Sequence, residues 1–322
     1  MRRLKFYMGI FLISTVIISI IFPLKVTSKQ SLIVDEGDCG FYFVQITDTH
    51  VMHKLFDKNE DSSKRFKSVI ENVTNFDRKP AFIVITGDIC EWGGSGVTGA
   101  LNCKTFVDCL FKKNGVLYAD SGYSIPVYTT PGNHDHSCKT SFNKNSLRNY
   151  HFFIDSHHIV DRDRYIVSAS GVSLFFIDSG STYILEPWRW QYVLGSGLFY
   201  NDIIWLEEKL STCEVEHKIV LMHHPSVNIR DENGVMREVI VRNRQRFVEL
   251  CEKYDVELVL CGHTHTSRVF DSNEFLYENL PLNCSMYPTL FVQTDDCKQG
   301  VHYRNVTVIG EDVWLGQCKE LG

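Results

Sequence analysis

A chain of 322 residues is long enough for one large domain or two small ones, and 44% hydrophobic with 22% charged residues excludes a disordered or low-complexity polymer. A formal net charge of −6 counts against a broad nucleic-acid-binding face, because counterion release from phosphates needs clustered Lys and Arg.

The first element is an N-terminal apolar segment. Arg2, Arg3 and Lys5 precede an uncharged, largely apolar stretch from Phe6 to Leu24, and Lys25 and Lys29 follow it. That is the layout of a secretory signal peptide or of an uncleaved membrane anchor, and residues 1–28 are read as one of the two. Either sends the remaining chain outside the cytoplasm, secreted or tied to the membrane. Three N-x-S/T sequons, at Asn72, Asn283 and Asn305, are compatible with export. So are the eleven cysteines, several of which lie in loop-like sequence where disulfides are expected after export. No C-x-x-C pair is present to suggest a zinc knuckle or a redox centre.

From residue 40 onward strands and helices alternate. Phe41–Thr47 reads as a strand, and 62–76 as an amphipathic helix with Phe66, Val69, Ile70 and Val73 at helical spacing. Strand 81–86 follows, then a Gly-rich loop at 92–96, a helix over 103–113 and a strand over 125–130. The runs 165–170 and 172–177, split by Gly171, suggest an antiparallel pair. A helix at 202–210, a strand at 218–222, a helix at 244–254 and a strand at 256–261 lead to a β-rich part from about 288. This order predicts an α/β fold of two mixed sheets packed face to face with helices outside. No linker divides it, so 40–322 is expected to be a single domain.

Five of the strand-like runs end on metal-binding residue types: Asp48-Thr49-His50, Asp88, Asn133-His134-Asp135, His223-His224-Pro225 and His263-Thr264-His265. The carboxyl edge of an α/β sheet is where ligands bind. In extended chain residues i and i+2 point the same way, so Asp48 with His50, and His263 with His265, can reach one site. Asp48, His50, Asp88, Asn133, His223, His263 and His265 are too many donors for one ion of ordinary coordination number. Two ions sharing a carboxylate would use them all. Mixed oxygen and nitrogen donors suit manganese, iron, zinc or nickel.

These blocks, Asp-x-His, Gly-Asp, Gly-Asn-His-Asp, His-His-Pro and Gly-His-x-His in this order, resemble the signature of the calcineurin-like metallophosphoesterase superfamily. The resemblance implies a four-layer αββα fold and a dinuclear centre that hydrolyses phosphoesters. It implies that Asp48, His50 and His265 hold a first metal and Asn133, His223 and His263 a second, with Asp88 bridging. A metal-bridging hydroxide would attack phosphorus in line. His134 would stabilise the phosphoryl oxygen or protonate the leaving group, and Asp135 would orient His134. His223, which ends the strand, is preferred to His224 as the ligand.

Departures from the pattern narrow the branch. Glu91 stands where the purple acid phosphatases carry a metal-bound tyrosine, and Gly87-Asp88-Ile89-Cys90-Glu91-Trp92-Gly93 differs from the protein Ser/Thr phosphatase block. The remaining likeness is to the compact phosphodiesterases, with a small phosphoester as substrate, nucleotide-like or a lipid headgroup. The loops 91–123, 183–200 and 226–242 are expected to rim the site, with Trp188-Arg189-Trp190 and Arg230, Arg237 and Arg242 as lesser candidates for substrate contact. The competing readings are a non-catalytic metal-binding surface protein of the same fold and a nuclease.

Overall fold

The computed structural model describes residues 30–32, 40–111, 115–117, 125–137, 139–140, 146–155, 164–181, 183–186 and 191–321. In chain order its elements begin with β1 (Gln30–Leu32), β2 (Phe41–Ile46), α1 (Asp61–Thr74), β3 (Ile83–Thr86), α2 (Gly96–Phe111), β4 (Val127–Thr130) and β5 (Lys139–Thr140). There follow β6 (Arg164–Ala169), β7 (Val172–Ile177), β8 (Tyr183–Glu186), β9 (Gln191–Leu194), α3 (Tyr200–Ser211), β10 (His217–Leu221) and α4 (Arg244–Lys253). The last are β11 (Leu258–Cys261), β12 (Arg268–Phe270), β13 (Leu282–Asn283), β14 (Leu290–Gln293), β15 (His302–Ile309) and β16 (Asp312–Glu320).

Two mixed sheets form the centre. One has seven strands in the order β1-β6-β7-β10-β11-β14-β12, the other six in the order β13-β16-β15-β2-β3-β4. Strand alternation separates three apolar layers. Phe41, Phe43, Phe82 and Val84 from the six-stranded sheet meet Leu174, Phe176, Leu221 and Leu260 from the seven-stranded sheet between the two. The alternate residues Tyr42, Val44, Ile46, Ile83 and Ile85 face outward and are covered by Phe66, Val69, Ile70 and Val73 of α1 and by Phe106 and Leu110 of α2. On the far side Phe175, Val220 and Val259 pack under Ile203 and Leu206 of α3 and Phe247 of α4. Three apolar layers between four layers of secondary structure give the expected αββα arrangement.

Polar side chains tie the two sheets together beneath their carboxyl edge. Gln45 Nε2 donates to Thr86 Oγ1 at 3.0 Å and to the Cys261 carbonyl at 3.1 Å, and Thr294 Oγ1 donates to Gln45 Oε1 at 2.8 Å. The fully buried Arg304 continues the chain of bonds, from Nε to Thr294 Oγ1 and from Nη1 to the Gly316 carbonyl. A buried network satisfied at this density fixes the sheet-to-sheet register on which the site depends.

Several boundaries and one sheet differ from the expectations. Helix α2 starts at Gly96 rather than at Cys103, because tertiary bonds begin it where intrinsic propensity is low: Asn149 Nδ2 donates to the carbonyls of Gly93 and Gly96. A third sheet of order β5-β8-β9 was not foreseen, and β8 and β9 occupy much of the stretch expected to be a rim loop. All nine described cysteines are free thiols, seven of them buried, so the expected disulfides are absent among the described residues. Burial in apolar surroundings suits a thiol as well as a methyl group. Cys39, Cys138, the apolar segment 1–28 and Trp188–Trp190 lie outside the described residues. Among the described residues no helix is long and apolar enough to cross a membrane.

Candidate metal centre

Parallel pairing of β2 with β3, β3 with β4 and β10 with β11 sends their carboxyl ends to one edge, and each end carries one of the motif blocks. The connecting chain is not extended there, which corrects the spacing argument. Asp48, His50, Asp88, His263 and His265 all stand at positive φ, between 43° and 72°. Such conformations cost on the order of 1–3 kcal/mol each and persist where neighbours fix them. Here the fixing bonds run between loops: His50 N donates to the Asp88 carbonyl at 2.9 Å, Asp48 N to the Gly87 carbonyl at 3.1 Å, and His263 N to Asp48 Oδ2 at 2.9 Å.

Two glycines make room for these side chains. A Cβ on Gly132 would stand 2.2 Å from Asp88 N, and one on Gly262 would stand 1.9 Å from Thr47 Oγ1 and 2.3 Å from Asp48 Oδ2. Only glycine permits that approach. What these two glycines admit is the neighbouring loop.

The expected donors converge. His265 Nε2 lies 3.3 Å from Asp48 Oδ1, and His50 Nε2 lies 3.6 Å from Asp88 Oδ2. His223 Nε2 lies 3.3 Å from the same Asp88 oxygen and 3.1 Å from Asn133 Oδ1, while the rings of His223 and His263 are 5.1 Å apart. The donor atoms of Asp48, His50 and His265 all fall within 4.8 Å of one another, as do those of Asp48, Asp88 and His223. Asp48 Oδ1 and His50 Nε2 are buried without any hydrogen-bond partner. Two buried lone-pair atoms, a carboxylate oxygen and an imidazole nitrogen, left unpaired and facing one space are what a cation would satisfy, and a carboxylate, carboxamide and imidazole set fits a transition-metal ion.

The tautomers are set from behind. The Thr86 carbonyl, 2.9 Å from His223 Nδ1, can only accept, so Nδ1 carries the proton and Nε2 is left for the site. Glu91 does the same for two rings at once: its Oε2 is 2.6 Å from His50 Nδ1 and its Oε1 is 2.9 Å from His134 Nδ1. Burial works against the Glu91 carboxylate, but the bonds from His134 and His50 hold its pKa well below the usual range. For His134, burial lowers and Glu91 raises, with a net rise.

Asp135 does not orient His134, contrary to the expectation. Its carboxylate accepts from the backbone N–H of Gly132 at 2.9 Å, Cys90 at 3.0 Å and Ile89 at 3.1 Å, so it braces the loop behind Asp88. Burial and the Asp88 charge push it up to about 6. Its side chain is spent on backbone amides because it closes the short turn 133–135, and the carboxylate within reach of the imidazole is Glu91. The sequence singled out Glu91 only as a missing tyrosine; its place three residues after Asp88 was the available signal. Asp296 and Lys298, which also reach the site, lie beyond every motif and gave none.

The metal-free electrostatics are unbalanced. His223 is pulled up to about 10 by Asp88 and Asp48 against its burial, whereas His263 is pushed down to about 4 by burial and by His223. Carboxylates here demand positive charge that the imidazoles supply unevenly. His224 lies beside His223, its Nδ1 on Ser179 Oγ at 2.9 Å, its Nε2 buried without a hydrogen-bond partner and its ring 4.3 Å from that of His263, and one nitrogen from each of the three rings falls within 4.8 Å of the others. Arg230 pairs with Glu274, Arg237 with Asp231 at 2.7 Å, and Arg242 donates to the Gly195 carbonyl at 2.6 Å. Arg230 and Arg237 are thus exposed, internally paired loop charges, and the half-buried Arg242 is held by a backbone carbonyl.

Residues 41–267 match the family described as calcineurin-like phosphoesterase. A probable glycerophosphodiester phosphodiesterase of Arcobacter nitrofigilis is 26% identical over 228 residues, covering 69% of this chain and 71% of that protein. A probable cyclic nucleotide phosphodiesterase of Rhodococcus erythropolis is 23% identical over 234 residues, covering 70% of this chain and 65% of that one. Among solved structures, a purple acid phosphatase from yellow lupin seeds aligns over 87% of this chain with a TM-score of 0.56 at 12% identity. The aligned part is 51% of the lupin protein, and the likeness is one of fold.

Proposed function

Because the chain belongs to the calcineurin-like phosphoesterase family and is a metal-dependent phosphoric ester hydrolase, we propose that it binds two metal ions and cleaves small phosphodiesters. The observation that carries this reading is the convergence of six donors around Asp88, with Asp48 Oδ1 and His50 Nε2 buried and unpaired. Asp48, His50 and His265 would hold one ion, Asn133, His223 and His263 the other, and Asp88 would serve both. Bound there, the ions would supply Lewis acidity and a nucleophilic water near neutral pH.

The chain's own groups do the rest. Asp88 is held as a carboxylate, burial notwithstanding, by His223, His134 and His50. His134, with Nδ1 bonded to Glu91, keeps Nε2 free on the side of Asp88, where it can donate to a phosphoryl or leaving oxygen. Phosphodiesters are favoured over monoesters by the names of two relatives, a probable glycerophosphodiester phosphodiesterase and a probable cyclic nucleotide phosphodiesterase.

The test is turnover of bis(p-nitrophenyl) phosphate and p-nitrophenyl phosphate by purified protein, stripped and reloaded with manganese, iron, zinc or nickel. Faster diester cleavage is expected; no turnover with any metal would overturn the reading, and faster monoester cleavage would overturn its diester part. The reading includes one domain over 40–322 and an extracytoplasmic location, on the strength of the basic-flanked apolar segment. Cell fractionation with N-terminal sequencing checks that: a cytosolic chain that begins at residue 1 would refute export.

A further inference from the structure

We propose that the loop between β14 and β15 positions one half of this centre, Asp296 orienting His265 and Lys298 holding Glu91, which orients His50 and His134. This rests on the metal-hydrolase reading above and adds to it residues that lie outside the 41–267 family match.

The loop is seated by backbone bonds to both sheets. Thr294 N donates to the Cys261 carbonyl at 3.1 Å, at the end of β11, and Cys297 N donates to the Thr47 carbonyl at 3.1 Å, one residue before Asp48. Between these anchors the buried Asp296 places Oδ2 3.4 Å from His265 Nδ1. The carboxylate is itself fixed, since its Oδ1 accepts from Gln299 N at 2.6 Å and its residue's carbonyl accepts from His302 Nδ1 at 2.7 Å. At that ion-pair distance the carboxylate favours a proton on Nδ1, which leaves the His265 Nε2 lone pair facing Asp48 Oδ1.

Lys298 acts one step further back. Its Nζ lies 3.1 Å from Glu91 Oε2, the oxygen that also accepts from His50 Nδ1. A glutamate side chain has several rotatable bonds, and serving two imidazoles 4.6 Å apart edge to face asks for one rotamer. The ammonium supplies a third tether and offsets the negative charge of Glu91. Neither residue touches the reacting atoms, so both are positioning residues.

The experiment uses the full chain carrying Asp296→Ala, Asp296→Asn, Lys298→Met or Lys298→Arg. Manganese affinity is measured by chelator competition, kcat and KM on bis(p-nitrophenyl) phosphate, and the melting of each metal-stripped protein. Asp296→Ala is expected to weaken one bound manganese about 10- to 100-fold and, since Gln299 N loses its acceptor, to lower metal-stripped melting; Asp296→Asn, which keeps that acceptor, is expected to weaken the manganese less with metal-stripped melting unchanged. Lys298→Met is expected to keep the metal and lose about tenfold in kcat at constant KM, and Lys298→Arg to regain most of it. Wild-type affinity in Asp296→Ala would overturn the first assignment. A Lys298→Met effect confined to KM would make Lys298 a substrate contact and overturn the second. Losses matched by lowered metal-stripped melting in Asp296→Asn and Lys298→Met would reduce both to fold maintenance. If the wild-type chain takes up no metal or cleaves no ester, the underlying hydrolase reading fails and this one with it; failure confined to the variants refutes the positioning roles alone.

Discussion

The two ends of the central sheets treat charge in opposite ways. At the amino end of β10, His217 directs Nδ1 to the Glu257 carboxylate at 2.9 Å and Nε2 to the Gly310 carbonyl at 3.2 Å, and Ser285 Oγ donates to the same carboxylate at 2.8 Å. Every partner is within the chain. At the carboxyl end, Asp48, Asp88 and Glu91 stand among imidazoles, and polar atoms remain buried and unpaired. The difference teaches that the chain itself satisfies the His217–Glu257 pair, whereas at the other end a buried carboxylate oxygen and imidazole nitrogen are left to be completed from outside, which is the mark of a binding centre rather than of a structural ion-pair network.

Replacing Asp88 by Ala should break the contrast most severely. It removes the carboxylate shared by His50 and His223, and the expected result is loss of bound metal, read by elemental analysis, together with loss of measurable turnover. A variant that keeps its metal would show that Asp88 does not hold it. Next in size, His134→Ala should retain the metal and lose about 10²–10⁴-fold in kcat, the range for removing a general acid or electrostatic stabiliser. Equal metal loss in the two variants would erase the distinction between ligand and catalytic residue.

Metal itself should sharpen the contrast more modestly. Manganese at a hundredfold excess over its Kd should stabilise the fold by about 2.7 kcal/mol in thermal melts, and chelation should reverse the gain. The smallest effect belongs to the amino end. Glu257→Gln should cost about 1 kcal/mol, allowing for the solvent that reaches Glu257, and should leave metal content and kcat unchanged. Glu257 raises the His217 pKa, so the stabilisation is fully present below the ordinary histidine value near 6.5 and fades as pH rises through the raised one. Denaturant melts of both proteins should therefore differ at pH 5.5 and converge in alkaline buffer; a gap that widens with pH would give the pair the wrong sign.

Much of the site was legible because its donors sit where apolar runs end, and an apolar run is the strongest single-sequence signal for a strand. The layers followed from the same alternation, Phe41 and Phe43 facing one core and Tyr42 and Val44 the other. What escaped depends on contacts far apart in sequence. Glu91 and Lys298 are 207 residues apart, and no local pattern marks their pairing. Asp135 was assigned by adjacency to His134, whereas the backbone turn it closes sends its carboxylate to three amides. The left-handed donors escaped too, since their conformation is imposed by bonds between loops rather than by residue type.

Gly132 and Gly262 carry a consequence for anyone who would transplant this centre. Each is the seat of a donor from another loop, Asp88 over Gly132 and Asp48 over Gly262, so the donors arrive only where the seats are already clear. Grafting seven donor side chains onto a different β-sandwich would fail for want of two missing methyl-sized gaps. The same dependence constrains descent: a lineage that gives up metal can exchange its ligands freely, but one whose seats have filled with side chains has no single-substitution route back.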